Sequence, residues 1–463
     1  MLAAIPFSLA YGGEDAADLV ASALFTIGSG VLMTGISGIR EGSELRPKDA
    51  FLTVTLTWVL VPLFGALPFF LGGAIPSFTD AYFESVSGFT TTGASILSNV
   101  EIFPRGLLFW RALTHWLGGM GIIVLALAVL PYLGIGGMQL FKAEVAGPSK
   151  DKLTPRLAET ARLLWGVYVL LTVVEAILLM AGGLSFYDAL CHSFATIASG
   201  GFSTRNASIG AFHSPYVDWV VTIFMFFAGT NFALHYSALR GRAREYLKND
   251  EFRFFVSLYL VAVVIVTIAA YVGGHHGDLL NTVRYSAFNV MSVMSTTGFS
   301  TTDFARWAPV AQLVIFLLLF PGGCAGSTAG AMKNLRVLLS FRTVSYSVKR
   351  MLFPKVVAVV RYNGRPVEQE TLGSIAGFVV LYVVFFLIAS LLVMASGLDL
   401  VSSCSAVATC MAGCGPGLGA VGPASTYVNL AGFAKWVLDA CMLVGRLEIF
   451  TIFILFSSAF WRR

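Results

Sequence analysis

The chain has 463 residues, 57% of them hydrophobic and only 12% charged, with a mean hydropathy of +0.79 and a net charge of +5. This balance excludes a soluble domain, whose surface needs far more charge, and places most of the chain in lipid. The six histidines (His115, His192, His213, His235, His275 and His276) form no zinc motif, and there is no phosphate-cradling loop or nucleophile elbow, so a membrane enzyme is disfavoured.

In chain order, Met1–Ala10 is a short apolar run without the basic start of a signal peptide, and reads as the tail of a helix. The first full span is expected at Asp18–Ile39. Further apolar stretches long enough to cross a hydrocarbon core of about 30 Å follow at Phe51–Leu71, Gly106–Leu130, Leu163–Met180, Phe254–Tyr271, Ile375–Met394 and Ala440–Phe456. Cys191, Cys324, Cys404, Cys410, Cys414 and Cys441 lie in or beside apolar segments. No histidine or carboxylate cluster accompanies them, so they read as buried thiols rather than metal ligands.

Basic residues collect in three segments between spans: Lys142, Lys150, Lys152, Arg156 and Arg162; then Arg240, Arg242, Arg244, Lys248 and Arg253; then Lys333, Arg336, Arg342, Lys349, Arg350, Lys355, Arg361 and Arg365. The positive-inside rule assigns these to the cytoplasm, and no nucleic-acid partner follows from them. The opposite segments carry Asp80, Glu84, Glu101, Asp188, Asp218, Asp278, Asp303 and Asp399, a mildly acidic face at which cations gather.

Four short segments rich in small and hydroxyl residues repeat along the chain: Phe89–Ser95, Ala198–Thr204, Ser295–Thr301 and Ala412–Gly417. They align on Gly93, Gly201, Gly298 and Gly415 at intervals of 108, 97 and 117 residues. Each follows a stretch too short to span (Asp80–Gly88, Tyr187–Ile197, Thr282–Met294 and Leu400–Met411), and full apolar spans are expected on both sides. The expected fold is an all-α polytopic membrane protein of four pseudo-symmetric helix–pore-loop–helix repeats around a central pore, with an extra N-terminal helix. The units are 1–50 for the N-terminal membrane segment, then repeats at 51–137, 138–241, 242–340 and 341–463.

Non-helical backbone at membrane depth survives only where protein buries it or water lines it, so four such loops are expected to meet on one axis. Carbonyl oxygens aimed at that axis replace an ion's hydration shell. Turning successive carbonyls inward requires angles that glycine reaches freely. The candidate filter is Thr91, Thr92, Gly93, Gly200, Gly201, Thr296, Thr297, Gly298, Cys414 and Gly415, with a potassium ion held at Thr92, Gly93, Gly200, Gly201, Thr297, Gly298, Cys414 and Gly415. One glycine per loop suggests looser selectivity over sodium than in strict potassium channels.

Two further features fall on the basic side of the loops. After Phe320-Pro321 the third repeat is interrupted at Gly322–Gly330, and its helix is expected to resume near Ala331. Gly322, Gly323, Gly326, Ser327, Thr328 and Gly330 form either a gate beneath the filter or a small-residue packing seam. Arg446 lies within the apolar run Val437–Phe460, where an arginine costs about 2.5–3.5 kcal/mol on insertion scales. It either faces the pore or pairs with an acid such as Glu448.

These segments, with Trp116–Leu125, Gly134–Leu140, Gly415–Gly419 and Gly445–Phe450, resemble the TrkH type within the TrkH/KtrB/HKT superfamily of potassium transporters, over nearly the whole chain. The resemblance implies that Gly93, Gly201, Gly298 and Gly415 are the filter glycines, Gly322–Gly330 the intramembrane gating loop and Arg446 the pore arginine. Glycine at position 93 is similar to potassium-permeable members. The resemblance also implies a homodimer in the bacterial inner membrane with a cytosolic nucleotide-binding ring protein of the TrkA type as regulator. Members usually carry two helices before the first repeat, where one and a stub are read here, and Ala412-Gly413-Cys414 departs from the usual fourth loop. A sodium- or proton-coupled symporter on the same scaffold remains the rival reading.

Overall fold

The computed structural model describes residues 1–37, 47–129, 153–274, 278–354 and 359–461. Gly134–Leu140, Lys142, Lys150, Lys152, Lys355, His275, His276 and the unit boundary at 137/138 lie outside the described residues. Within them the chain is helical except for turns and a two-residue hairpin, β1 (Arg361–Tyr362) and β2 (Arg365–Pro366). Among the described residues, five helices are long and apolar enough to cross a membrane, six if the bent pair Pro215–Ala228 and Phe232–Leu239 counts as one span.

Apolar side chains cover the outer surface as well as filling much of the interior, where buried hydroxyls gather near the centre. On α7 (Leu153–Ala181) the residues Val169, Val173, Val174 and Ile177 are exposed, and so are Val380, Val384, Leu387 and Leu391 on α16 (Gln369–Met394). Ser87, Thr92, Thr196, Ser199, Ser292 and Thr297 are wholly buried near the centre. Most of these hydroxyls find a partner: Thr196 Oγ1 donates to His192 O at 2.8 Å, Ser292 Oγ donates to Phe299 O at 2.5 Å, and Ser199 Oγ lies 2.9 Å from Thr328 Oγ1.

The N-terminal segment forms α1 (Ile5–Ala10) and α2 (Ala16–Ser37). Phe7 stacks on Phe109 at 4.0 Å, and Asp15 accepts from the amide of Leu107 at 2.6 Å, pinning the stub to the first repeat. Four units follow. The first has α3 (Pro47–Gly65), α4 (Leu67–Leu71), the short helix α5 (Phe78–Phe89) and α6 (Arg105–Val129). The second has α7, the short helix α8 (Phe186–Ile197) and α9 (Pro215–Ala228), which bends by 102° into α10 (Phe232–Leu239). After α11 (Arg244–Lys248), the third unit has α12 (Asp250–Val272), the short helix α13 (Leu279–Met294), α14 (Pro309–Leu318) and, beyond an irregular stretch, α15 (Asn334–Leu352). The fourth has α16, the short helix α17 (Leu400–Ala412), α18 (Gly432–Leu447) and α19 (Ile449–Phe456), and α20 (Ser458–Trp461) is the last described helix.

The expectation of an unbroken span on both sides of every loop is corrected for the second flank. Only α6 is continuous. The flank is broken at Gly229–Asn231 in the second unit, between Leu318 and Asn334 in the third, and at Glu448, with φ of 61°, in the fourth. The third break is longer than expected: the helix resumes at Asn334, not Ala331, and runs on to Leu352 as an amphipathic segment. Positions 340 and 341, read as a unit boundary, lie inside α15.

Candidate functional site: a ring of four re-entrant loops

The short helices α5, α8, α13 and α17 have 12, 12, 16 and 13 residues, about 18–24 Å, and none reaches across a bilayer core. Ser77, Ser185 and Asp399 cap three of them by accepting from the amides of Asp80, Asp188 and Ser402. All four stop in the same way. The amides of Thr92, Gly200, Thr297 and Cys414 reach back to the carbonyls of Ser87, Ala195, Ser292 and Thr409 at 2.8–3.0 Å. The preceding residue turns left-handed: Thr91 at φ 54°, Ser199 at 57°, Thr296 at 57° and Gly413 at 71°. This is a Schellman ending. At the two β-branched threonines the left-handed turn costs about 1–2 kcal/mol each.

Two residues later φ is positive again, at 78° for Gly93, 76° for Gly201, 82° for Gly298 and 81° for Gly415. Alternation of φ sign turns successive peptide carbonyls toward one side of the chain instead of opposite sides. The loops also touch in cyclic order. A Cβ on Gly93 would overlap the carbonyl oxygen of Gly200, one on Gly201 that of Thr297, and one on Gly298 that of Cys414; one on Gly415 would press on Thr92 O and Gly93 O. The four contacts close a ring through which backbone oxygens of all four units face one another. Eight of the ten residues singled out from the sequence make these contacts, and Thr91 and Thr296 are left-handed residues just before them. Ser199 and Gly413 were not singled out. Aligning the four segments on their glycines and asking what sits two places earlier finds both.

On the side of the ring toward which the short helices end lies the irregular stretch Gly322–Lys333. Thr328 Oγ1 donates to Ile197 O at 2.9 Å and lies 2.9 Å from Ser199 Oγ. The amide of Gly330 donates to Thr296 Oγ1 at 2.7 Å, and that of Ala331 to Ala412 O at 2.9 Å. Two left-handed threonine and serine residues of the ring therefore hold this loop by their side chains. Within it, Gly322 and Gly326 take φ of 64° and 75°, the Gly323 carbonyl accepts from the Asn334 amide, and Ser327 Oγ donates to Cys324 O at 2.6 Å. Lys333 turns its ammonium back onto the carbonyl of Ala329, and Asn334 bonds to that of Gly322. Glu251, 2% exposed at the start of α12, accepts from the amides of Ala325 (2.6 Å) and Leu335 (3.0 Å) and so ties both ends of the stretch. Sequence reading passed over Glu251, because a carboxylate beside Asp250 at a helix start looks like an ordinary first-turn acid.

Arg446 is buried at 6% exposure and has no acidic partner within the described residues. It donates to Thr328 O at 2.8 Å and to Gly118 O at 3.3 Å, linking the irregular stretch to α6. The alternative of pairing with Glu448 is excluded by geometry, since Glu448 pairs with Arg336 at 2.6 Å. The backbone approaches that make this possible require small residues: a Cβ on Gly445 would overlap Met411 O, and one on Gly118 the Phe89 carbonyl.

With this geometry in place, sequence comparison becomes decisive. A family model described as TrkH, cation transport protein, matches residues 31–463. The chain belongs to the TrkH family. It is 43% identical over 426 residues to the Trk system potassium uptake protein TrkH of Escherichia coli (strain K12), spanning 91% of this chain and 88% of that protein. To the Trk system potassium uptake protein TrkG of the same strain it is 37% identical over 445 residues, 95% of this chain and 90% of that one. The crystal structure of the potassium transporter TrkH from Vibrio parahaemolyticus matches with a TM-score of 0.89 at 35% identity, covering 100% of this chain and 98% of that one. As a TrkH-family member the chain is a membrane cation transporter and not an enzyme.

Proposed function

We propose that this chain carries potassium into the cell through the ring, with the ion shedding water for the backbone oxygens at Thr92, Gly93, Gly200, Gly201, Thr297, Gly298, Cys414 and Gly415. The observation that carries the reading is the cyclic closure of the four loops, each glycine set against the carbonyl of the next unit. Preorganised carbonyls of this kind substitute for hydration. The short helices point their C-terminal ends at the ring, each contributing about half a negative charge to an ion beneath it. The names of the relatives, potassium uptake proteins, support the same cargo.

In this reading Gly322–Gly330 is the gate and Arg446 its latch: the loop is held from the ring above by Ser199 and Thr296 and from the side by the guanidinium. The chain works as a homodimer in the bacterial inner membrane, with its basic segments cytoplasmic, and a TrkA-type nucleotide-binding ring protein acts on it from that side.

Purified protein in liposomes tests the cargo and the mode together. Passive rubidium uptake, with no sodium or proton gradient, is the expected result. Strict dependence on either gradient would replace the channel reading with the coupled symporter. Gly93→Ser should raise sodium entry relative to rubidium, because a side chain there displaces the Gly200 carbonyl; an unchanged ratio would remove Gly93 from the ion path.

A further inference from the structure

The outer limb of each loop, past the glycine, is tied back to its own short helix by a polar side chain at a repeating position. In the first unit Glu84 accepts from Ser95 Oγ at 3.0 Å and from the Ile96 amide at 2.9 Å. In the second, His192 Nε2 lies 2.9 Å from Ser203 Oγ, while Nδ1 lies 2.7 Å from Asp188 O. A carbonyl only accepts, so Nδ1 carries the proton and Nε2 accepts from the Ser203 hydroxyl. In the third, Asn289 Nδ2 donates to Thr301 Oγ1 at 3.0 Å. Glu84, His192 and Asn289 stand at the same offset before Gly93, Gly201 and Gly298. In the fourth, one residue farther from Gly415, Ser405 Oγ accepts from the Leu418 amide at 2.6 Å. The shared position carries Glu, His and Asn in the first three units, while Ala406 takes it in the fourth and the neighbouring Ser405 makes the tie, so similarity of the repeats alone does not reveal it.

The four ties are unequal. Ser405 makes one neutral bond, whereas Glu84 is a buried carboxylate at 1% exposure that also takes Arg111 Nε at 2.5 Å. Arg111 then crosses to the second unit: its Nη1 donates to Ser203 O at 3.2 Å, and its guanidinium carbon lies 3.4 Å from the ring centre of Phe202, which stacks on His115. One ion pair thus anchors the outer limbs of two adjacent loops. Charge-assisted bonds are about twice as strong as neutral ones, and a buried pair leaves its partner uncompensated when broken.

We propose that Glu84, His192, Asn289 and Ser405 are positioning residues that fix the width of the carbonyl ring from behind. The Glu84–Arg111 pair governs discrimination between cations of different size. The proposal rests on the ring being the selectivity filter, and it adds residues that never touch the ion.

The test is competitive rubidium-86 and sodium-22 uptake into liposomes by the full chain and its variants. Glu84→Gln should lower the rubidium-over-sodium ratio by about tenfold, the loss of roughly one charge-assisted bond, while Ser405→Ala should change it by less than about threefold. Ser95→Ala, which removes only the hydroxyl and leaves the ion pair intact, should also lower the ratio and serves if Glu84→Gln does not fold. A merely structural role would lower both fluxes together and leave the ratio unchanged. If Gly93→Ser alters the ratio but Glu84→Gln and Ser95→Ala do not, the positioning role is overturned. If Gly93→Ser also leaves it unchanged, the filter reading itself has failed.

Discussion

Replacement of Arg446 by alanine tests the proposed latch. The wild-type guanidinium donates to Thr328 O at 2.8 Å and to Gly118 O at 3.3 Å. A bond from a charged donor contributes about 1.5–3 kcal/mol, and the longer contact falls at or below that range. The loop keeps its ties to Ile197 O, Thr296 Oγ1 and Ala412 O. The held arrangement should therefore weaken by about 2–3 kcal/mol, a shift of about 30- to 150-fold in its equilibrium with a released one. Initial rubidium-86 uptake into liposomes should rise at least about tenfold if the held loop limits flux. Arg446→Lys separates two causes, since it keeps a positive charge near the path but cannot reproduce the planar fork. Uptake near that of alanine would mean that the hydrogen bonds hold the gate; uptake near wild type would mean that charge alone bars the path. Unchanged uptake in Arg446→Ala, with normal thermal stability, would refute the latch.

Glu251→Ala leaves the amides of Ala325 and Leu335 without their shared acceptor, at about 1–3 kcal/mol each, so basal uptake should rise and the thermal midpoint in detergent should fall. Thr296→Val keeps the branched shape but loses the oxygen that accepts from Gly330, so uptake should rise and stability fall by about 1–3 kcal/mol, half the loss expected for Glu251→Ala; a fall in uptake would place Thr296 in conduction instead. In the fourth loop Gly413 and Gly415 share a left-handed backbone, but a Cβ on Gly413 meets nothing closer than 3.9 Å while one on Gly415 meets the carbonyl oxygens of the first loop at 2.8–2.9 Å. Gly413→Ser should therefore retain wild-type rubidium uptake, the equivalent place in the second unit already holding Ser199, and Gly415→Ser should raise sodium entry relative to rubidium as Gly93→Ser does.

Those two glycines also mark where sequence reading succeeds and where it stops. The ring glycines were legible because any side chain there strikes the next unit's backbone, which forces the same residue type four times over. The left-handed residue two places earlier was legible only in part. Its backbone demand is equal, but a side chain fits at that place in three units, as Thr91, Ser199 and Thr296, and would meet nothing closer than 3.9 Å at Gly413, so the constraint leaves no single letter in the chain. The short helices emerged from length and apolar content, and their ends fell within a few residues of expectation. The breaks in the second flank did not, apart from the glycine-rich third. In the second unit Thr230-Asn231 interrupts the helix because Asn231 caps α10, accepting from the Ala233 amide at 2.8 Å, and because the Phe232 amide is taken by Gly326 O at 3.0 Å. That second bond comes from a residue far along the chain. In the fourth, Glu448 leaves the helix while bound to Arg336, again a partner distant in sequence. Helix breaks made by glycine are written locally, whereas these two are stabilised by groups brought near only after the four units have closed. Repetition thus discloses the ring, and the departures from repetition, which set Arg446 and Glu448 against the irregular stretch, become visible only in three dimensions.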